Sequence, residues 1–188
     1  AGLSCADRHG GLCCQAGGSG PRVARRSDVP HRRPLQLAPA LSVCPHRIFL
    51  TMCTFERTEH FIDATTADIV VVELLRTAEA YRVEILAYCL MPGHVHLLIE
   101  GLAADSDLLK FIRMFRQRSG HSHRSRQSSR LWQEGFVDTF LRADEISLDV
   151  AQYIVANPVR AGRWQDPRTY RHLGSSRYTI DELVESLA

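Results

Sequence analysis

A His-x-His pair, His94 and His96, lies in the run Met91-Pro92-Gly93-His94-Val95-His96-Leu97-Leu98-Ile99-Glu100. In a strand, residues i and i+2 point to the same face, so the two imidazoles, about 6–7 Å apart at Cα, can converge on one divalent ion. The same pattern also fits a sheet strand with two solvated histidines. Further along, Tyr153 and Asn157 stand at i and i+4, one above the other on a helix. A half-buried tyrosine followed by a C-terminal asparagine cap would read identically. The third feature is charge. Residues 110 to 130 contain Lys110, Arg113, Arg116, Arg118, Arg124, Arg126 and Arg130 and no acidic residue. Such a run is either a solvated face or a surface for phosphates. A second His-x-His, His121 and His123, falls inside it among Gly, Ser and Arg. With no buried alternate face to hold the rings, and cations around them, it is expected not to bind metal.

The elements that must position these residues follow from periodicity. Residues 47–55 are rich in β-formers and read as a strand. A helix follows, capped by Asp63 or Thr65, with Ala67, Val70, Val71, Leu74, Leu75, Ala78 and Tyr81 along its buried stripe. Residues 83–90 form a second strand, and Met91-Pro92-Gly93 turns the chain back into the histidine strand as an antiparallel hairpin. On that strand Val95, Leu97 and Ile99 make the buried face, while His94, His96, Leu98 and Glu100 share the other. A second helix is expected over 107–118, with Leu108, Phe111, Ile112 and Phe115 inward, ending in a loop over 120–130. A strand over 132–142 and a third helix from Asp144 come next. The third helix carries Leu148, Ala151, Ile154 and Val155 toward the core and stops at Asn157-Pro158. The rest reads as a polar loop and a short amphipathic helix over 180–187. The order β-α-β-β-α-β-α predicts an α+β sandwich, a sheet with helices packed on one face.

The first 43 residues differ from the rest. Gly10, Gly11, Gly17, Gly18 and Gly20 precede an arginine- and proline-rich stretch, and the sequence begins at Ala. We expect residues 1–43 to be a disordered or non-native extension, with a nucleic-acid-touching basic arm as the alternative. Residues 44–180 then form one domain and 181–188 a tail. The formal charge of +2 argues for no partner by itself. No apolar run approaches the roughly 20 residues of a membrane span. Six cysteines without framework spacing fit a reduced, cytoplasmic protein.

Taken together these motifs resemble the single-tyrosine HUH transposases, the insertion sequence 200-like class, and most closely its REP-associated tyrosine transposases. Met91-Pro92-Gly93-His94-Val95-His96-Leu97-Leu98 resembles the family's His-hydrophobic-His strand. Trp132-Gln133-Glu134-Gly135-Phe136 with Leu141-Arg142 resembles its next strand. Tyr153-Ile154-Val155-Ala156-Asn157-Pro158-Val159-Arg160-Ala161-Gly162 resembles its tyrosine helix, and Ser175-Ser176 its C-terminal signature. The likeness covers about residues 44 to 178. Gly93 stands where the family usually has Asn, and Val137 and Thr139 where Tyr and His are frequent.

The resemblance implies a ferredoxin-like core, the HUH nuclease fold, and a metal-dependent single-strand DNA endonuclease and strand transferase acting on hairpin-forming DNA. It implies Tyr153 as nucleophile, with Mg²⁺ or Mn²⁺ held by His94, His96 and the Asn157 side-chain oxygen. The product would be a 5′-phosphotyrosine and a free 3′-hydroxyl, which a second 3′-hydroxyl can reverse without ATP. The expected partner is single-stranded or hairpin DNA, held in part by the basic segment 110–130, and the protein is a monomer or homodimer. Glu100 and Tyr88 are excluded from the centre because each lies too many residues along its strand from the histidines. Two other readings remain: an inactive DNA- or RNA-binding relative, for which the histidine pair has no role, and a replication-initiator or relaxase-type nuclease.

Overall fold

The computed structural model describes residues 47–103, 105–141 and 144–185, with backbone alone over 137–141 and 144–147. The expected extension over 1–43 lies outside the described residues. Five strands form one antiparallel sheet: β1 (Arg47–Cys53), β2 (Val83–Met91), β3 (His94–Gly101), β4 (Val137–Leu141) and β5 (Leu173–Gly174). Their order is β4-β1-β3-β2-β5. Among the described residues, helices α1 (Ala64–Ala80), α2 (Leu108–Gln127), α3 (Asp144–Arg160) and α4 (Ile180–Glu185) accompany the sheet. The β1-α1-β2-β3-α2-β4 portion with β1 and β3 central is the expected ferredoxin-like α+β arrangement.

Alternation along the strands builds two cores. Ile48, Leu50 and Met52 of β1 and Val95, Leu97 and Ile99 of β3 are buried beneath α1 and α2, which contribute Val70, Leu74, Phe111 and Phe115. The opposite face is covered as well. Ile154 and Val155 of α3 and Leu183 of α4 bury Ala87, Cys89 and Leu98. One-sided packing therefore holds for α1 and α2 only. The chain stays with the core through α4, past residue 181 where a tail was expected. Leu148, expected inward on α3, is 48% exposed, and Leu75 on α1 lies 37% exposed at the edge of its stripe.

The β2–β3 hairpin closes in two residues, with Met91 opposite His94. Three backbone or hydroxyl bonds pin the turn: Thr54 donates from both N and Oγ1 to the Gly93 carbonyl, and the Phe61 N–H donates to Pro92. Gly93 is required by close approach, since a Cβ there would stand 2.8 Å from the Arg57 carbonyl oxygen.

Three elements differ from expectation for identifiable reasons. Helix α2 continues nine residues past Arg118 to Gln127, so the expected loop over 120–130 is mostly helical. Ser119 and His123 extend the stripe begun by Phe111 and Phe115, and all four are buried. Ser119 Oγ donates to the Phe115 carbonyl and accepts the Trp132 indole N–H, and the indole lies over Gly120, where even a Cβ would stand at an ordinary contact distance of 3.6 Å. Tertiary packing overrides the weak helix propensity of this Ser- and His-rich stretch. The strand expected over 132–142 shortens to β4, with Trp132 making only an isolated bridge to Thr54, because Gly135 turns the chain at φ 75°. Helix α3 does not stop at Asn157. Pro158 lies inside it, and the helix ends at Arg160 before Gly162 at φ 65°.

Strand β5 has no counterpart among the expected elements. It pairs Gly174 with Tyr88 and Leu173 with Cys89. Just beyond it, Ser175 Oγ donates to the Ile85 carbonyl and Ser176 Oγ accepts the Ile85 N–H. These bonds serve β2 beside its register shift between Ile85 and Ala87, which gives the Ser-Ser pair a structural task.

Replacing Gly93 by Ala forces a methyl group against backbone rather than a yielding side chain. Gly93→Ala is expected to lower stability by about 1–3 kcal/mol, read as a reduced urea midpoint at unchanged slope. An unaltered midpoint would show that the 55–57 segment gives way freely.

Candidate active site: a histidine pair facing a helical tyrosine

The centre is built on the face of β1 and β3 that α3 covers. In the β1–β3 register Thr51 lies opposite His96 and Phe49 opposite Leu98, so Phe49, Thr51, His94 and His96 share that face. The two histidine Nε2 atoms stand 3.1 Å apart. Two nitrogens that share one ion at about 2.1 Å each are separated by about 3.0–3.4 Å, so the pair already converges as a chelate requires. Thr51 Oγ1 lies 2.9 Å from His96 Nδ1 and fixes that ring from behind. Phe49 stacks on the same imidazole at 5.8 Å with the rings 17° from parallel.

Burial keeps both rings neutral. It pushes the His96 imidazole down to about 3, with the neighbouring His94 adding to the effect. His94 is lowered by burial first and by the Arg57 charge second. A neutral imidazole presents a lone pair at the site, which is the form that ligates a metal. The donor set therefore fits a divalent cation.

Tyr153 arrives from α3. Its ring meets His96 edge-on at 5.5 Å and Phe49 edge-on at 6.0 Å. Although α3 is anchored by fully buried Ile154 and Val155, Tyr153 itself is 38% exposed, open to solvent. Arg160 sets its guanidinium 5.1 Å from the Tyr153 ring centroid. Asn157 lies one turn on, and its amide nitrogen donates 2.8 Å to the Tyr153 carbonyl. That bond uses the amide's donor side and leaves Oδ1 as its acceptor.

The other tyrosines are ruled out by placement. Tyr88 sits opposite Leu97 and packs into the α1–α2 core, on the far face of the sheet from the histidines. It is the sheet face, rather than distance along the strand, that excludes it. Tyr170 is not in a polar tail: its hydroxyl donates 2.5 Å to the Leu90 carbonyl, and burial pushes it up to about 12. Tyr81 packs partly against the first core, and Tyr178 is exposed beyond β5. Glu100 is occupied by Arg47 at 2.9 Å and Arg177 at 3.7 Å.

His121 and His123 lie on a helix, where i and i+2 diverge, so they cannot chelate together. His123 is buried, contrary to the expectation of unfixed side chains; its Nε2 pairs with Ser129 Oγ at 2.9 Å and its ring meets His60 at 4.6 Å. No group of three or more His, Cys, Asp or Glu side chains able to hold a metal occurs among the described residues.

The basic residues do not form one surface. All lie on or just after α2, in the layer opposite the histidine face. Lys110 reaches the Tyr81 ring at 5.8 Å, Arg118 reaches Thr77 Oγ1 at 3.4 Å, and Arg126 faces the Asp63 cap of α1. Arg113 and Arg124 are exposed. Arg116, Arg124 and Arg130 line a pocket of about 340 Å³ floored by Leu131 and Trp132. Arg116 is held there by the Gln133 carbonyl and the Phe136 ring, and Arg130 by the Trp132 carbonyl and Glu134. Because Trp132 bridges Thr54, which in turn holds the Gly93 carbonyl, this pocket lies toward the sheet end from which His94 emerges.

Phe49, Thr51, Arg57 and Arg160 were missed from sequence. Phe49 and Thr51 alternate on the first strand, and placing that strand beside the histidine strand would have found them. Arg160 lies seven residues after Tyr153, the two-turn helical spacing that would have placed it on the same face, whereas Arg57 carries no such signal.

Known proteins are similar to this chain in sequence and in fold. A family model described as "Transposase IS200 like" matches residues 42–157. A candidate REP-associated tyrosine transposase of Haemophilus influenzae is 29% identical over 98 residues, 46% of this chain. The chain spans only 56% of that relative's length. Among solved structures, a REP-associated tyrosine transposase bound to a REP hairpin superposes with TM-score 0.62 at 19% identity, covering 74% of this chain and 86% of that one. A candidate transposase from Deinococcus radiodurans gives 0.47 at 21% identity, covering 60% and 90%. No described helix is long and apolar enough to cross a membrane. With the family model spanning well over half its length, the chain belongs to the IS200-like transposase family.

Proposed function

We propose that this protein is a metal-dependent single-strand DNA endonuclease and strand transferase that works through a 5′-phosphotyrosine intermediate on hairpin-forming DNA. The observation that carries the reading is the meeting of Tyr153 with a convergent, neutral His94–His96 pair. The REP hairpin bound by the structural relative supports the substrate class.

Tyr153 attacks the scissile phosphorus, forming a phosphotyrosine bond as the P–O3′ bond breaks. The phenolic proton is lost, and the departing 3′-oxygen gains one to become a hydroxyl. His94, His96 and the Asn157 Oδ1 would hold Mg²⁺ or Mn²⁺, and the ion when bound would supply Lewis-acid polarisation of the phosphate. Phe49 and Thr51 keep the His96 ring oriented, as supporting groups commonly do for metal-binding imidazoles. Arg160, against the Tyr153 ring, offers positive charge beside the reacting phosphate. Attack by another 3′-hydroxyl on the phosphotyrosine reverses the bond exchange and joins strands.

Tyr153→Phe removes one oxygen from a half-exposed ring and should leave fold and DNA affinity nearly intact. With labelled hairpin DNA and Mn²⁺, a denaturing gel should show a covalent adduct for wild type and none for Tyr153→Phe. An adduct that persists in the variant, or maps to another residue, sinks the mechanism.

Metal binding has a readout independent of cleavage. At ten times Kd, Mn²⁺ should stabilise the wild-type fold by about 1.4 kcal/mol, seen as a raised melting temperature. His96→Ala should lose the increment, and His121→Ala should keep it. Equal increments in wild type and His96→Ala would remove the ion from this pair.

For the basic segment, exposed Arg113 and Arg124 are expected to act differently from half-buried Arg118, which reaches Thr77. Neutralising Arg113 and Arg124 should weaken binding to all sequences. It should also flatten the single-strand salt dependence by about 0.7 log units for each phosphate left unneutralised. Neutralising Arg118 should change the slope little. Identical slopes in wild type and the Arg113/Arg124 double variant would return this face to solvent.

A further inference from the structure

A second cleft of about 310 Å³ opens beside the centre, and no residue lining it has a role in the mechanism above. Its walls come from both elements that carry the chemistry. Met91 and Pro92 belong to the turn that delivers His94, and Pro158 follows Asn157 on α3. The remaining walls are Phe61 and Ile62, just before α1, and the segment after α3, which Gly162 folds back so that the Arg163 and Trp164 N–H groups both donate to the Pro158 carbonyl.

Two large apolar side chains line this cleft in contact with solvent, Ile62 at 63% exposed and Trp164 at 42%. Trp164 is braced edge-on by Tyr170 at 4.9 Å, and Tyr170 is itself fixed by its bond to Leu90. The indole is therefore held in place. Among the described residues, no Asp or Glu lines the cleft. Its cations, Arg163 and Arg171, are shared with Glu59 and Asp68 in solvent-exposed ion pairs, which are weak and exchange readily for a phosphate. An apolar, aromatic slot with guanidinium groups at its rim suits an unstacked nucleobase and its flanking phosphates.

We propose that this cleft binds a splayed-out nucleobase of the single strand next to the scissile phosphate, stacked on Trp164, with Arg163 and Arg171 taking the adjoining backbone. The inference rests on the nuclease reading, because it needs a single strand passing the His94–Tyr153 centre. The site selects for unpaired DNA: a base held in a duplex stack cannot enter it.

The protein has two tryptophans, and Trp132 is 5% exposed with its indole N–H bonded to Ser119. Trp132 also floors the arginine-lined pocket, so the part of the DNA response that reports Trp164 is the part lost in the Trp164→Phe spectrum. Titration with a hairpin oligonucleotide carrying a single-stranded overhang should quench the Trp164 emission. Base–aromatic stacking of about 1–3 kcal/mol corresponds to a loss of about 5- to 150-fold in affinity for Trp164→Leu. Trp164→Phe, which keeps a π face, should stay within about threefold of wild type. An abasic site at one overhang position should reproduce the Trp164→Leu loss in the wild-type protein. Unchanged affinity in Trp164→Leu, while wild type still forms its Tyr153 adduct, overturns the base site and leaves the nuclease reading standing. Absence of any binding or adduct by wild type overturns both.

Discussion

The centre depends on β3 being covered from both sides. Val95, Leu97 and Ile99 are held beneath α1 and α2, while Leu98 is held beneath α3. A one-residue slip in this strand would exchange the faces and drive both histidines into the apolar core. The doubly buried strand therefore fixes where the imidazoles point before any ligand arrives. The same burial strips water from them and keeps them neutral, so position and protonation state have one cause.

Opposite this rigid pair stands a tyrosine on a helix that is anchored behind and open in front. Ile154 and Val155 follow Tyr153 and are fully buried, so the ring's location is set by packing two residues deep. Pro158 supplies no N–H to the helix and bonds to that turn are thinned, yet α3 runs on to Arg160. The Asn157 amide, donating to the Tyr153 carbonyl, ties the turn before the proline back together. The tyrosine, the amide and the Arg160 guanidinium thus come from two successive turns of one helix.

Much of this was legible in the sequence because it is written in short periods. The alternation in β3 exposed the histidine pair, and the i, i+4 spacing brought Tyr153 and Asn157 onto one face. What could not be read was set by residues distant in sequence. The full length of α2 depends on Trp132 docking over Gly120 and bonding to Ser119, which no local propensity encodes. Strand β5 is two residues long and exists only because β2 offers an edge. Phe49 and Thr51 acquire meaning only through the β1–β3 register. The basic run was visible as composition, but its division into outward, inward and pocket-lining arginines needed the helix geometry.

Strand β1 has a consequence for how activity is acquired. It lies between β3 and β4 and pairs with both, and its ion pair from Arg47 to Glu100 already spans 53 positions. Topologies dominated by such distant pairings form slowly. During synthesis the strand that carries Phe49 and Thr51 must wait for its partners, and the tyrosine helix emerges after every residue of the histidine hairpin. A partly made chain that lacks α3 leaves one face of β3, and with it the two imidazoles, uncovered. Tyr153 therefore meets the histidine pair only once α3 has packed against the sheet.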